Sequence, residues 1–255
     1  MDASAGDQLL QIALVGQPNT GKSTLFNRLT GLNQHVGNWP GKTVEKKHGV
    51  FRWNGDKGQV TDLPGTYSLT ANSLEEKIAR DFLIHGNADV AVVIVDASQL
   101  ERSLYMVAET LLLPVQVVVA LNMIDVAQKA GKSLDAAELE KAIGVPVIPM
   151  VASKGEGLER LIQTISKAAK GTGQSARRGP DMEKAFGDSF RLVRECIQDA
   201  VPQPYTEAWM TLKLIEMDSD AAAIMKSSLS PQAWESIESL LAQDSDAVTK
   251  GSAAR

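Results

Sequence analysis

Gly16-Gln17-Pro18-Asn19-Thr20-Gly21-Lys22-Ser23-Thr24 follows the pattern G-x-x-x-x-G-K-[ST], a loop built to cradle phosphate. Before it, Gln11-Ile12-Ala13-Leu14-Val15 is a short apolar run that reads as a buried strand. After it, Leu25, Leu29 and Leu32 recur at helical spacing. Strand, glycine loop and helix is the context the motif needs. The glycines let the backbone wrap tightly, so that several N–H groups point at one anion. The helix presents the positive end of its dipole to the same anion. Lys22 is placed to reach the outer phosphates and Ser23 to ligate Mg²⁺.

Outward from this loop the chain reads as alternating strands and helices. Ala91–Val95, Val115–Leu121 and Val145–Met150 are apolar nearly throughout, as central parallel strands are. Ser73-Leu74-Glu75-Glu76 forms a capping box that opens one helix. Apolar stripes through Leu104 to Leu112, Leu134 to Ile143 and Leu158 to Ile165 mark three more, and Gly144 ends the second of these. The fold class expected is α/β: a P-loop GTPase fold, mostly parallel, with right-handed crossovers. One stretch departs from this. Val44–Trp53 and Gly58–Leu63 around Asn54-Gly55-Asp56-Lys57 read as a hairpin, which puts one antiparallel edge strand in the sheet.

Composition changes after about residue 168. Residues 1–170 are expected to form the nucleotide-binding domain, 171–180 a polar, glycine-bearing linker, and 181–255 a small all-helical domain. Within the last, Ala185 to Val201 reads as one helix and Ala208 to Ile215 as another. Ser230-Pro231 opens a third that carries Trp234, Ile237, Leu240 and Leu241. The end, from Asp246 to Arg255, is expected to fray.

Whole-chain properties narrow the function. The 255 residues are 44% hydrophobic and 22% charged, with a formal net charge of −5. That acidic balance argues against nucleic acid as a partner, because phosphate neutralisation needs clustered Lys and Arg. A single cysteine, Cys196, excludes an intramolecular disulfide framework and a multi-cysteine metal site. The N-terminus, Met1 to Asp7, lacks the basic start and apolar core of a secretory signal. The longest apolar run, Leu111 to Leu121, is too short to span a bilayer, so the chain as given is expected to be soluble. His35, His48 and His85 share no metal-ligand spacing.

Three further motifs select the nucleotide. Asp62-Leu63-Pro64-Gly65 closes the hairpin; its aspartate can hold Mg²⁺ through water and its glycine N–H can meet a γ-phosphate. Asn122-Met123-Ile124-Asp125 ends a strand and matches N-K-x-D except for Met123 in place of lysine. Asp125 can accept from the guanine N1–H and 2-amino group, which adenine lacks. Val151-Ala152-Ser153 follows the next strand and is a loose match to a base-contacting loop, with backbone donors from Ala152 and Ser153. GTP and GDP are therefore the expected ligands, with Mg²⁺ held by Ser23, Thr43 and Asp62. Thr43, with Gly41 and Lys42, lies in a segment from His35 to Glu45 that reads as the first switch. Its hydroxyl completes the Mg²⁺ shell only when a γ-phosphate is present, which gives hydrolysis a structural readout. Thr66 stands where many small GTPases carry a water-orienting glutamine, so intrinsic hydrolysis should be slow. Asn19 resembles the residue that helps hold K⁺ in cation-activated GTPases, with the Gly37 and Trp39 carbonyls as matching ligands. Lys22, Thr43 and Asn19 are the candidate catalytic residues.

These stretches, with Val36-Gly37-Asn38-Trp39-Pro40-Gly41 and Asp62-Leu63-Pro64-Gly65-Thr66-Tyr67-Ser68-Leu69 as the most specific, resemble one family. Trp209 to Glu216 in the helical part is similar to it as well. The family is ferrous iron transport protein B, a bacterial membrane transporter, and the chain resembles its N-terminal cytoplasmic region. The resemblance implies a membrane-embedded transport domain beyond residue 255 and a location on the cytoplasmic face of the inner membrane. It also implies that residues 181–255 correspond to a guanine-dissociation-inhibitor-like module. A soluble regulatory or assembly GTPase unconnected with transport is the alternative, an ATPase a third reading, and association between copies is compatible with either GTPase role.

Overall fold

The computed structural model describes residues 9–31, 33–53, 56–85, 88–171 and 180–252. Leu32, the N-terminal stretch to Asp7, the Asn54-Gly55 turn, most of the expected linker and the last three residues lie outside them. Seven strands form one sheet: β1 (Leu10–Gly16), β2 (Gln34–Asn38), β3 (Glu45–Trp53), β4 (Asp56–Asp62), β5 (Val90–Asp96), β6 (Gln116–Asn122) and β7 (Val147–Pro149). Their order is β2-β3-β4-β1-β5-β6-β7. β1 pairs in parallel with β4 and β5, and β6 in parallel with β5 and β7. β3 runs antiparallel to both of its neighbours. The carboxyl ends of β1, β4, β5 and β6 therefore collect along one rim, where ligands of open α/β sheets bind.

Side chains alternate across the sheet with period two. Ile12, Leu14, Val92 and Ile94 face one helical layer, α1 (Lys22–Thr30) and α6 (Leu158–Ala169), through Leu25, Phe26, Leu161 and Ile165. Ala13, Val15, Val93 and Val95 belong to the other layer, with α2 (Leu74–Ile84) and α3 (Leu100–Leu111) supplying Ile78, Leu83, Met106 and Val107. Strands buried on both faces explain the unbroken apolar runs in the sequence. Two short helices, α4 (Ile124–Lys129) and α5 (Ala136–Ile143), follow β6, and Gly144 ends α5 in the left-handed conformation. The Ser73 hydroxyl caps α2 by accepting the Glu76 N–H at 3.1 Å. Glu76 turns instead to the Asn72 N–H and the Ser68 hydroxyl.

The C-terminal part is helical: α7 (Met182–Phe186), α8 (Asp188–Ile197), α9 (Glu207–Ile215), α10 (Ser219–Ser228) and α11 (Pro231–Ser252). Phe190, Trp209, Met210, Leu214, Trp234 and Ile237 continue the apolar cluster on the α2–α3 face of the sheet. Two expectations need correction here, and one helix was missed. The single helix from Ala185 to Val201 is broken at Gly187, whose φ of 66° and ψ of −150° no helix contains, and it stops at Ile197. α10 was not legible as a helix, although Asp218 caps it by accepting the Asp220 and Ala221 N–H groups at 2.9 Å. α11 runs to Ser252, so the segment from Asp246 that was expected to fray is helical in its backbone. His35 to Asn38, read as part of a switch loop, pairs with β3 as the outermost strand.

Candidate nucleotide-binding site

The glycine loop leaves β1 and turns into α1 through two left-handed residues, Asn19 (φ 67°) and Gly21 (φ 91°). Gly21 cannot be replaced quietly: a Cβ there would lie 2.3 Å from Asn122 Nδ2. The loop is pinned on both sides. The Thr20 hydroxyl donates to the Gln17 carbonyl at 2.9 Å, and Gln17 Nε2 donates to the Arg102 carbonyl of α3 at 2.6 Å. α1 begins at Lys22, so its first-turn N–H groups open onto a cleft of about 540 Å³. Most of residues 17–24 line that cleft, and Gly65 and Met123 close it.

Asp62, at the end of β4, is 8% exposed, and its Oδ1 accepts from Lys22 Nζ. The Leu63 N–H continues the sheet ladder to the Leu14 carbonyl at 3.1 Å, and the Thr66 N–H donates to the Gly16 carbonyl at 3.3 Å. Gly65 is thereby drawn against Pro18 of the glycine loop. Thr66 itself is buried, and its hydroxyl meets no partner among the described residues.

Asn122 joins the loops. It is 3% exposed; its Nδ2 donates to the Thr20 carbonyl and its Oδ1 accepts the Ala152 N–H, both at 2.9 Å. One amide thus ties the phosphate loop to the loop after β7. Met123 takes a left-handed φ of 61° and starts α4, which places Asp125 in the first helical turn. The Asp125 carboxylate lies 3.6 Å from Lys154 Nζ. Val151 and Ala152 are buried and Ser153 is exposed. The Ser153 carbonyl accepts from Arg28 of α1, a contact that sequence reasoning missed because the two residues stand 125 apart. Of the two backbone donors expected from this loop, that of Ala152 is already engaged by Asn122.

The first-switch residues lie elsewhere. Gly37 sits in β2, paired with Lys46. The Trp39 N–H donates to the Val44 carbonyl and its own carbonyl accepts the Lys42 N–H, both at 2.9 Å, which closes the β2–β3 turn. Its ring is buried, edge-on to Phe82 at 5.6 Å, with Lys46 Nζ 4.7 Å above it. Trp39 and Lys42 line a second hollow, against α2, rather than the cleft beside Asn19. Gly41, Lys42 and Thr43 are exposed in the turn. His35 and His48, distant in sequence, face each other across β2 and β3 with centroids 5.3 Å apart. Burial, and then the charges of His35 and Lys46, hold His48 below the ordinary imidazole value. Among the described residues no three His, Cys, Asp or Glu side chains gather as a metal site.

With the geometry in view, residues 10–165 match the family model described as ferrous iron transport protein B. The chain belongs to that family. The Fe(2+) transporter FeoB of Salmonella typhimurium is 39% identical over 218 residues, which is 82% of this chain and 27% of that protein. The FeoB of Escherichia coli K12 is 46% identical over 162 residues, 62% of this chain and 21% of that protein. The chain thus spans about a quarter of the length of its FeoB relatives. Among solved structures, an S. thermophilus NFeoB mutant bound to GDP superposes with a TM-score of 0.81 at 36% identity, covering 94% of this chain and 92% of that one. The cytosolic domain of T. maritima FeoB in its GMPPNP form gives 0.79 at 35% identity, covering 92% and 98%. Among the described residues no helix is long and apolar enough to cross a membrane.

Proposed function

We propose that this chain binds GTP and GDP, hydrolyses GTP slowly, and serves as the cytoplasmic nucleotide switch of a bacterial ferrous-iron transporter. One observation carries the reading: Lys22, Gly65 and Met123 border a single cleft, while Asn122 ties its phosphate side to the loop that follows β7. The guanine-nucleotide complexes of similar FeoB structures support it. In this reading the N–H groups of the glycine loop and the first turn of α1 hold the phosphates. Lys22 shares its ammonium between Asp62 and the outer phosphates. Asp125 accepts from the guanine N1–H and 2-amino group, Met123 packs on the base, and Ser153 offers a backbone donor to O6. Ser23 and Asp62 are hard oxygen donors beside Lys22, a set that suits Mg²⁺, with Thr43 joining from the first switch. When bound, Mg²⁺ neutralises charge developing on the phosphate oxygens. Hydrolysis is slow because Thr66 stands where a water-orienting glutamine would be.

Potassium stimulation is the finer part of the proposal. Asn19 stands in the cleft, but Gly37 and Trp39 reach it only once the first switch leaves its turn. The division into residues 1–170, 171–180 and 181–255, a membrane-embedded domain beyond residue 255, a seat on the inner face of the membrane and association between copies belong to the same reading. GTP, GDP and ATP are titrated with Mg²⁺ in KCl and then in NaCl. GTP and GDP should bind, ATP more weakly by roughly two orders of magnitude or more, and turnover should be faster in KCl. ATP binding equal to GTP would overturn the assignment; equal rates in the two salts would remove potassium alone. Asp125→Asn should shift preference toward xanthine nucleotides.

A further inference from the structure

The chain that leaves Gly65 runs across the molecule to a buried polar cluster between α3 and α9. Glu109 of α3 and Lys213 of α9 form an ion pair in which both side chains are 0% exposed. Two charges taken out of water are costly unless their remaining bonding positions are filled. Here a loop helps to fill them. Glu109 Oε2 accepts the Leu69 N–H at 2.9 Å, and Lys213 Nζ donates to the Thr70 hydroxyl at 3.0 Å and to Glu216 at 2.8 Å. One residue on, the Ala71 N–H donates at 2.8 Å to Asp218, the cap of α10. Three consecutive residues, 69 to 71, are therefore held by groups from α3, α9 and the α9–α10 corner. They follow Asp62-Leu63-Pro64-Gly65 after three residues, Thr66 to Ser68.

We infer that Glu109 and Lys213 are positioning residues for the Asp62–Gly65 loop, which fix its place in the cleft through Leu69 and Thr70 and couple it to the helical part. The inference rests on the proposed GTPase reading. It assigns the buried pair a task that neither packing nor charge balance requires, since apolar residues of like volume would fill the same space. Lys213 of α9 bonds Glu109 directly; Glu216, just past that helix, accepts from Lys213, the Thr70 hydroxyl and Tyr105, which stands one turn from Glu109 on its own helix; and the loop adds the Leu69 N–H on Glu109 and the Thr70 hydroxyl on Lys213. Burial raises the Glu109 carboxyl to about 7, against the opposing pull of Lys213 and the Leu69 N–H. The ionised carboxylate grips the Leu69 N–H more firmly than the neutral acid does.

Two variants separate positioning from simple stability. Glu109→Gln keeps the shape and an acceptor but removes the charge. Thr70→Val releases the loop from Lys213 and leaves the ion pair intact. For both, kcat and KM for GTP, GDP affinity and melting temperature are measured from about pH 6 to about pH 8.5, together with hydrogen exchange at the Leu69 amide without nucleotide. Glu109→Gln should lose about tenfold in kcat at the high-pH end, as expected when a charged hydrogen bond is weakened, with KM and GDP affinity little changed and Leu69 exchanging faster. Thr70→Val should shift kcat in the same direction by less. The wild-type kcat should step up near pH 7 and the Glu109→Gln profile should lack that step. If both variants keep kcat, the pH step and Leu69 protection and lower only the melting temperature, the inference fails. Failure of the wild-type chain to bind GDP would instead sink the GTPase reading, while Leu69 exchange would still judge the tie.

Discussion

Asn122→Ala is the most direct perturbation of the site. Asn122 is buried and spends its amide on two backbone groups in different loops, the Thr20 carbonyl and the Ala152 N–H, each at 2.9 Å. Alanine satisfies neither. Each stranded buried group costs ~1–3 kcal/mol, so the loss should be ~2–5 kcal/mol after partial access of water. For a chain of this size, ~1 kcal/mol corresponds to ~2–4 °C, which puts the drop in melting temperature near 5–15 °C. Differential scanning calorimetry without nucleotide reads the global effect. Amide exchange at Ala152 reads the local one, since its protection depends on Asn122 Oδ1. Gly21→Ala approaches the same contact from the other side. It adds a Cβ 2.3 Å from Asn122 Nδ2 at a φ of 91°, so it should reproduce both effects. A melting temperature within ~2 °C of wild type with unchanged Ala152 exchange would refute the view that Asn122 fastens these loops.

Arg28→Ala removes the partner of the Ser153 carbonyl from an exposed position, so stability should change by less than ~1 kcal/mol. Release of a fluorescent GDP analogue should nonetheless quicken several-fold as the base loop loosens; an unchanged rate would deny Arg28 that role. Glu109 gives stability a particular pH dependence. Its folded value, about 7, lies above the ordinary 4.5, so the folded state binds the proton more tightly in between. Stability should fall as pH rises from 4.5 toward 7 and level off above, by roughly 3 kcal/mol at most. Urea midpoints across that range should lose this slope in Glu109→Gln.

The site was readable where chemistry and strand ends coincide. The glycine loop and Asn122 each follow an apolar run that the sheet buries, and Asp62 ends the second strand of a hairpin legible from its Asn-Gly turn, so strand ends set all three along one rim. What escaped has a common cause. β2 is built from His35, Val36, Gly37 and Asn38, which bury little and become a strand only by pairing with β3. Gly187 interrupts a stripe that periodicity reads as continuous. Arg28 and Ser153, or Glu109 and Lys213, meet across more than a hundred residues, and no local pattern announces such partners. Trp39 was read for its carbonyl, yet its ring has the larger part in the fold.

That ring sets terms on how the first switch travels. Uprooting the indole from Phe82 would expose ~150–250 Å² of apolar surface, a penalty of roughly 4–6 kcal/mol. Gly41, two residues on, already stands at a φ of 66° with open space where a side chain would be. Carrying the Trp39 carbonyl to Asn19 means breaking that mooring, together with the Trp39 N–H bond to the Val44 carbonyl, so any such movement has to be driven by the ligand it serves.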